Sequence, residues 1–187
     1  MLAENDSFAA TAVKTMPARP SFFVELRSVN VTSEGASQAP GRSGQFADLL
    51  ARTYASVVGT PLVSAGISGQ EAANWLYEAP FGLLAHDTSP DPLFVYANLA
   101  AQHWFEYSWQ EIVGMPSRLS AEGDDRETRR IFMDSVRRQG YADDYRGLRV
   151  AKTGRRFWIE DTTVWNMVSP GAGMVGQAAL IRRSTDA

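Results

Sequence analysis

Two adjacent residues, His86 and Asp87, have the side chains of a general acid–base pair. Shared proton transfer requires both side chains to reach the same substrate atom. His86 directly follows a short apolar run that is typical of a strand, and neighbouring residues on a strand point to opposite faces of a sheet. We therefore expect Asp87 and Thr88 to cap the turn that follows, and His86 to donate to a backbone carbonyl.

The other residues that could perform chemistry lack suitable partners. Ser117 and Ser120 are close in sequence, but no base and orienting residue can be assigned to them. His103 lies in an aromatic helical segment, which is more typical of a core or surface histidine than of a haem ligand. With two histidines and no cysteine, the chain has no disulfide, thiolate zinc site or iron–sulfur cluster. The sequence predicts neither a catalytic residue nor a metal site, and haem is disfavoured.

The composition of the chain limits the classes of partner that it can bind. The 187 residues carry a net charge of -3, with 44% hydrophobic residues, which is typical of a protein with one hydrophobic core. No basic arm is present, so we expect no nucleic-acid partner. The apolar runs are too short for a membrane span, and Glu4 and Asp6 stand where a signal peptide is basic. We expect a cytoplasmic protein that does not bind membranes.

The N-terminal part divides into two regions. Residues 1–44 lack sustained periodicity, so we predict a disordered tail in which only Phe22 to Leu26 could hold local structure. Residues 45–79 predict a helical extension. Its first helix has an amphipathic stripe, and its second begins at Ser68 and Glu71, which have capping-box spacing. The stripe of the first helix consists of Phe46, Leu49, Leu50, Tyr54 and Val57.

Residues 80–187 predict an α+β domain. Two short apolar runs, Phe81 to Ala85 and Leu93 to Ala97, flank a turn rich in Pro and Asp, and helical segments follow. The C-terminal third changes to alternating patterns over three extended runs joined by short Gly-containing turns, namely Tyr141 to Lys152, Arg155 to Val168 and Met174 to Arg183. In the middle run, Phe157, Ile159, Thr163, Trp165 and Met167 share the face that we expect to be the core side.

This order of elements resembles a PAS domain, in which helices lie across one face of a five-stranded antiparallel sheet. The segment YANLAAQHWFEYSWQEIVGMPSRL has the landmarks of the corresponding PAS segment. More closely, HDTSPDPLFVYAN, PSRLSAE, YRGLRVAKTGRRFWI, VWNM and GQAAL resemble the MEKHLA family, a PAS relative, over roughly Phe46 to Ile181. The resemblance implies a PAS-like sheet preceded by amphipathic helices. It carries no known reaction, and in plant transcription factors the domain is associated with dimerisation.

The resemblance also allows a test for flavin. GMPSRL, Gly114 to Leu119, aligns with the GRNCRF signature of light-oxygen-voltage domains, in which the Cys forms the photoadduct. Ser117 occupies the Cys position, and a hydroxyl is a much weaker nucleophile than a thiol. A covalent flavin adduct is therefore excluded, and a non-covalent flavin is a minor alternative.

If the PAS layout applies, four polar or aromatic residues converge on a cavity between the sheet and the helices: Asn98, Arg118, Trp165 and Gln177. Such a cavity would hold a small apolar ligand oriented by a few polar groups. In the alternative, Arg118 pairs with a carboxylate such as Asp161, and large side chains fill the interior. The ligand itself is unknown at this point.

The stripe of the first helix must be buried against something. A second copy of the chain is one partner, which makes the stripe a predicted homodimer interface, and the domain's own sheet is the other. The sequence therefore predicts a non-catalytic regulatory or sensory module that self-associates and holds a small ligand. A purely structural dimerisation domain, a small enzyme and a non-covalent flavin binder are the alternatives.

Overall fold

A computed structural model of the protein describes residues 40–121 and 126–187. The predicted tail lies almost entirely outside these residues. Five strands form one antiparallel sheet in the order β2-β1-β5-β4-β3, which confirms the predicted α+β class. The strands are β1 (Gly82–His86), β2 (Phe94–Ala97), β3 (Tyr141–Val150), β4 (Arg156–Ser169) and β5 (Gly173–Asp186). The helices are α1 (Gly44–Val58), α2 (Gly69–Glu78), α3 (Leu99–Phe105), α4 (Trp109–Ile112) and α5 (Arg126–Gln139), with 3₁₀ turns at Pro40–Arg42 and Ser117–Ser120.

The helices of the PAS-like part lie across one face of the sheet, as the sequence predicted, and the N-terminal helices α1 and α2 cover the other face. On the outer face, α1 and α2 pack on alternate residues of the central strands, among them Leu83, Trp165 and Leu180. On the inner face, α3 and α4 pack through Phe105 and Ile112 on a second cluster of buried residues. The reason is the amphipathic stripe of α1, which finds its apolar surface on the domain's own sheet.

The stripe of α1 is used inside the chain. Leu50 and Tyr54 are 0% and 4% exposed, and the Tyr54 ring packs edge-on against Trp165 with 5.1 Å between ring centroids. The indole Nε1 of Trp165 donates to Thr53 Oγ1 at 3.0 Å. Phe46 is also buried, while Leu49 and Val57 are partly buried against the same cluster. The predicted homodimer interface is thus the surface that docks α1 onto the sheet, which is the second partner considered above.

The folded unit begins before the predicted boundary at residue 45. The hydroxyl of Ser43 accepts from Phe46 N and caps α1, and the guanidinium of Arg42 lies 3.8 Å above the Tyr77 ring. A Cβ on Gly41 would lie 2.5 Å from the Trp109 ring and 2.7 Å from a backbone oxygen of β2. This close approach admits only glycine, so residues 41–43 belong to the packed domain. None of the described helices is long and apolar enough to cross a bilayer.

We predict that Leu50→Asp unfolds the protein and does not yield a folded monomer. A buried, unpaired carboxylate and the loss of the leucine contacts together should cost more than about 4 kcal/mol of unfolding free energy. Arg52→Asp, at an exposed position of the same helix, is the control and should change it by less than about 1 kcal/mol. Circular dichroism with urea titration measures both. A folded, monomeric Leu50→Asp protein would contradict the assigned docking of α1.

A second prediction concerns the boundary. Deletion of residues 1–39 should change the unfolding free energy by less than about 0.5 kcal/mol, because that segment lacks apolar periodicity. Deletion of residues 1–44 also removes the Ser43 cap and the Arg42 contact, and should cost at least about 1 kcal/mol more. Urea denaturation of both truncated proteins compares the two values. Equal stabilities would mean that residues 40–44 contribute nothing.

Candidate functional site

A small cavity lies between the inner face of the sheet and α5. Its volume is about 30 Å³. That volume accommodates roughly two or three water molecules, or a guest of similar size, at about 10–15 Å³ each. The polar part of the wall comes from the central strands β1, β5 and β4, the edge strand β3, α5 and the second 3₁₀ turn, and consists of His86, Ser120, Arg129, Tyr145, Arg149, Thr162 and Gln177. The apolar part includes Leu84, Phe94, Phe105, Met133, Ile159, Val164 and Ile181.

Strand register places two of the polar residues side by side. His86 on β1 is paired with Gln177 on β5, and Gln177 is paired with Asn166 on β4. Residues that are directly paired across antiparallel strands point to the same face. His86, Gln177 and Asn166 therefore form a polar row across the inner face, opposite to the face that holds Trp165.

This row holds α5 on the sheet. Gln177 Nε2 donates to Met133 O of α5 at 3.3 Å and to Asn166 Oδ1 at 3.0 Å. Asn166 Nδ2 in turn donates to Val136 O and Arg137 O at 3.2 and 2.9 Å. The last carbonyls of a helix have no partner within the helix, so these amides satisfy part of the C-terminal end of α5. Gln177 is the member of the row that both lines the cavity and bonds to α5.

Two side chains of β3, Tyr145 and Arg149, form another part of the cavity wall. Tyr145, Gly147 and Arg149 are alternate residues of this strand, and a Cβ on Gly147 would lie 2.5 Å from Tyr145 Oη and 2.8 Å from Arg149 Nη1. The absence of a side chain at Gly147 lets Arg149, 3% exposed, fold back along the strand. There Nη1 donates to Leu148 O at 2.6 Å and Nη2 to Tyr145 Oη at 3.1 Å. The Tyr145 ring stacks on Phe132 of α5 at 4.1 Å.

His86 is held in the neutral form. Its side chain is 9% exposed, and its Nδ1 lies 2.8 Å from Asp87 O. Burial lowers the pKa of His86 from its ordinary value of 6.5, and the nearby charge of Arg129 lowers it further, against the opposing effect of the bond to Asp87. The Asp87 carboxylate accepts from Ser89 N and Leu93 N and so caps the β1–β2 turn. The predicted structural roles of both residues are confirmed.

Comparison with known sequences identifies the family. The sequence model of the MEKHLA domain matches residues 44–185, about three quarters of the chain. The chain belongs to the MEKHLA domain family. The matched region begins with α1, in agreement with the packing of that helix in the domain. No curated protein matches the sequence.

Solved structures with the same fold are PAS domains. A PAS domain of a protein from Colwellia psychrerythraea is 18% identical, with a TM-score of 0.52 over 62% of this chain and 92% of that chain. An RNA-binding light-oxygen-voltage receptor is 22% identical, with a TM-score of 0.53 over 68% of this chain and 36% of that chain. At these identities the similarity establishes the PAS fold of this MEKHLA domain. The match covers only about a third of the receptor.

The four ligand residues predicted from sequence do not come together in the MEKHLA domain. Gln177 alone among them lines the cavity. Trp165 points to the outer face and bonds to Thr53. Arg118 has a side chain 51% exposed to solvent and pairs with Asp91 at 3.0 Å, and not with Asp161 as the alternative proposed.

Asn98 has a structural role. It is fully buried, and its side-chain oxygen accepts from Leu83 N at 2.8 Å and from Ala101 N at 3.1 Å. Its amide nitrogen donates to Phe81 O at 2.7 Å and to Leu76 O at 3.2 Å. Asn98 thereby joins β1, α3 and the end of α2. These bonds occupy the polar atoms of its side chain and leave no role in ligand contact.

Sequence reasoning missed Tyr145 and Arg149. A signal was present, because a glycine inside a strand often marks a close approach of other groups to the backbone. In the segment YRGLR, Tyr145 and Arg149 lie two positions before and after Gly147, and their side chains occupy the space that a Cβ at Gly147 would need. A reading of that spacing would have placed an aromatic hydroxyl and a guanidinium on one face of β3.

The cavity does not fit the larger cofactors considered above. Ligand pockets for groups of this size have volumes of about 300–1,000 Å³, whereas the cavity has about 30 Å³. An isoalloxazine ring or a haem would overlap side chains that line it, such as Phe105 and Ile159. His103 is exposed and lies outside the cavity wall. In the described part of the chain no group of three or more metal-ligating residues is found.

We predict that acid destabilises this domain through His86. Because the pKa of His86 is lowered in the folded protein, its neutral form stabilises the fold fully above about pH 6.5. This contribution falls as the pH decreases below that value, and levels off below the folded-state pKa. Urea denaturation between about pH 7.5 and 5 measures the effect. His86→Gln should flatten this dependence, whereas His103→Gln should retain it; an unchanged slope in His86→Gln would exclude His86 as its source.

Proposed function

We propose that this MEKHLA domain is a non-catalytic regulatory module of the PAS type, in which occupancy of the cavity is transmitted to α5. The observation that carries the proposal is the dual contact of Gln177. Its side chain lines the cavity, and its amide donates to Met133 O of α5. A guest that hydrogen-bonds to Gln177 competes with this attachment.

The attachment of α5 is suited to such a change. Among the described residues it includes polar bonds from Asn166 and Gln177, the Phe132–Tyr145 ring contact and the buried Val136. A hydrogen bond contributes about 0.5–1.5 kcal/mol net. Exchange of one or two such bonds changes the ratio of two α5 positions by roughly threefold to a hundredfold. A regulatory response requires a change of this size.

Other polar groups of the cavity support a non-catalytic function. The Ser120 hydroxyl donates to Ser117 O at 2.7 Å. His86 Nδ1 faces Asp87 O. A nucleophile requires an adjacent base that accepts its proton, and these two side chains have structural bonds to backbone oxygens instead.

Self-association and cytoplasmic residence stay predictions from the sequence. With Phe46, Leu50 and Tyr54 buried on the sheet, a homodimer would have to use another surface. A purely structural dimerisation domain remains the alternative function. It differs from the proposal in one respect: it requires no response of α5 to the cavity.

The proposal is tested by comparing two variants that each remove one buried hydrogen-bonding group. Gln177→Leu removes the amide that joins the cavity to α5, and Thr53→Val removes the acceptor of the Trp165 indole on the opposite face. Each should lower the unfolding free energy by about 1–3 kcal/mol. Backbone amide hydrogen exchange, followed by NMR, should show a selective loss of protection in residues 133–139 of α5 in Gln177→Leu only. Equal loss in both variants, or none in either, would contradict transmission through Gln177.

A further inference from the structure

One nitrogen of the buried His86 ring has no hydrogen-bond partner among the described residues. Because Asp87 O can only accept, the Nδ1 atom of His86, 2.8 Å away, carries the hydrogen of that bond. In the neutral imidazole the other nitrogen, Nε2, then has no hydrogen and acts as an acceptor. The ring is 9% exposed and lines the cavity. His86 Nε2 therefore offers an acceptor to a guest.

A second acceptor lies beside it on β5. The Nε2 atom of Gln177 uses its two hydrogens on Met133 O and Asn166 Oδ1, which fixes the orientation of the amide. The other amide atom, Oε1, has no bond to a described residue. Since Gln177 is paired with His86 in the sheet, the two side chains share one face and both line the cavity.

The hydroxyl groups of Ser120 and Thr162, which also line the cavity, are used elsewhere. Ser120 Oγ donates to Ser117 O at 2.7 Å, and Thr162 Oγ1 donates to Glu160 O at 3.3 Å. A buried acceptor without a partner costs free energy, so the site favours a guest that supplies the missing hydrogen. The guest that suits this wall carries an O–H or N–H donor.

Charge and size limit the guest further. A carboxylate has no hydrogen to donate to these acceptors. A short ammonium ion would lack a counter-charge, because no Asp or Glu is among the described residues that line the cavity. The volume of about 30 Å³ corresponds to two or three waters, or to about three non-hydrogen atoms. Much of the wall is apolar, with Phe105, Ile159 and Ile181 among its members.

We propose that the cavity binds a one- or two-carbon alcohol, whose hydroxyl donates to His86 Nε2 and whose alkyl group lies against Phe105 and Ile159. The inference rests on the proposed function in one respect, namely that the same cavity is the regulatory site. The hydroxyl oxygen can accept from Gln177 Nε2 in competition with Met133 O, which is the exchange that the proposed function requires. Binding of the alcohol and the response of α5 are separate measurements.

The test is titration of the full chain with ethanol, followed by NMR amide shifts. Two comparison solutes separate the features of the guest. Acetonitrile has the size of ethanol but no hydrogen to donate, and tert-butanol has the hydroxyl but is too large for the cavity. We expect saturable shifts at residues 85–87 and 176–178 from ethanol alone. The dissociation constant should be in the millimolar range, near the limit for a ligand of this size.

A matched pair of variants tests the role of His86. His86→Phe keeps a ring and removes Nε2, so it should weaken ethanol binding about fivefold. It should also abolish the preference for ethanol over acetonitrile, which a merely structural role of His86 would not change. His103→Phe, the same substitution at an exposed position outside the cavity wall, should retain both the affinity and the preference.

If His86→Phe fails to fold, the solute comparison on the unmodified chain decides. Equal binding of ethanol and acetonitrile, a saturable response to tert-butanol at the same residues, or no saturable shifts from ethanol would overturn the alcohol assignment. So would an unchanged preference for ethanol in a folded His86→Phe protein. The proposed function would then still be judged by amide exchange in Gln177→Leu, which requires no ligand.

Discussion

The hydrogen bond from the Trp165 indole to Thr53, with the burial that surrounds it, is the interaction on which the architecture depends. Trp165 lies at the middle of β4 and is completely buried. Without α1, its ring would be exposed on the sheet and its N–H would lose its acceptor. With α1 in place, burial of the apolar ring stabilises the fold, and the Thr53 acceptor avoids the cost of about 1–3 kcal/mol that an unpaired buried donor would carry. The helix that looks like an N-terminal appendage is therefore part of the core.

Because the outer face is packed against α1 and α2, we propose that the functional site lies on the inner face. A second hydrogen bond, in which Arg182 Nη2 of β5 donates to Tyr54 Oη of α1 at 3.0 Å, also attaches α1 to the sheet. With this face packed, we propose that a ligand binds at the cavity beside the polar row of His86, Gln177 and Asn166. Among the described residues, Asn166, Gln177 and Tyr145 join the sheet to α5, the element above that cavity, and α5 is the element that we propose responds to a ligand.

Much of the fold could be predicted because its signals are local. The stripe of α1 and the alternation of β3, β4 and β5 gave element boundaries within a few residues of the observed ones. Signals that depend on distant residues failed. Ser68 has capping-box spacing, but the first amide of α2 bonds instead to Asp48 of α1 at 2.7 Å. The stripe of α1 was consistent with burial against a second copy of the chain and with burial against the domain's own sheet. Only the packing seen in the structure distinguishes these two partners.

One residue explains why the predicted core face of β4 was wrong. Asp161 has left-handed backbone, with φ of 48°, which interrupts the alternation of side chains. Phe157 and Ile159 consequently pack in the inner cluster, whereas Trp165 and Met167 pack in the outer one. Period-two reasoning placed all four on one face, which carried Trp165 into the predicted ligand site. Gln177, on the regular part of β5, was placed correctly.

The central claim, that α1 is an integral layer of the domain, is tested most directly by solvent exchange of the Trp165 indole proton. NMR can follow this proton in native protein at increasing denaturant, with Trp165→Phe identifying its signal among the five tryptophans. The structure predicts that the proton exchanges only through global unfolding, with the same opening free energy as the most protected amides of β4 and β5. Exchange through a low-energy local opening, while those amides stay protected, would show that α1 leaves the sheet and would contradict this account.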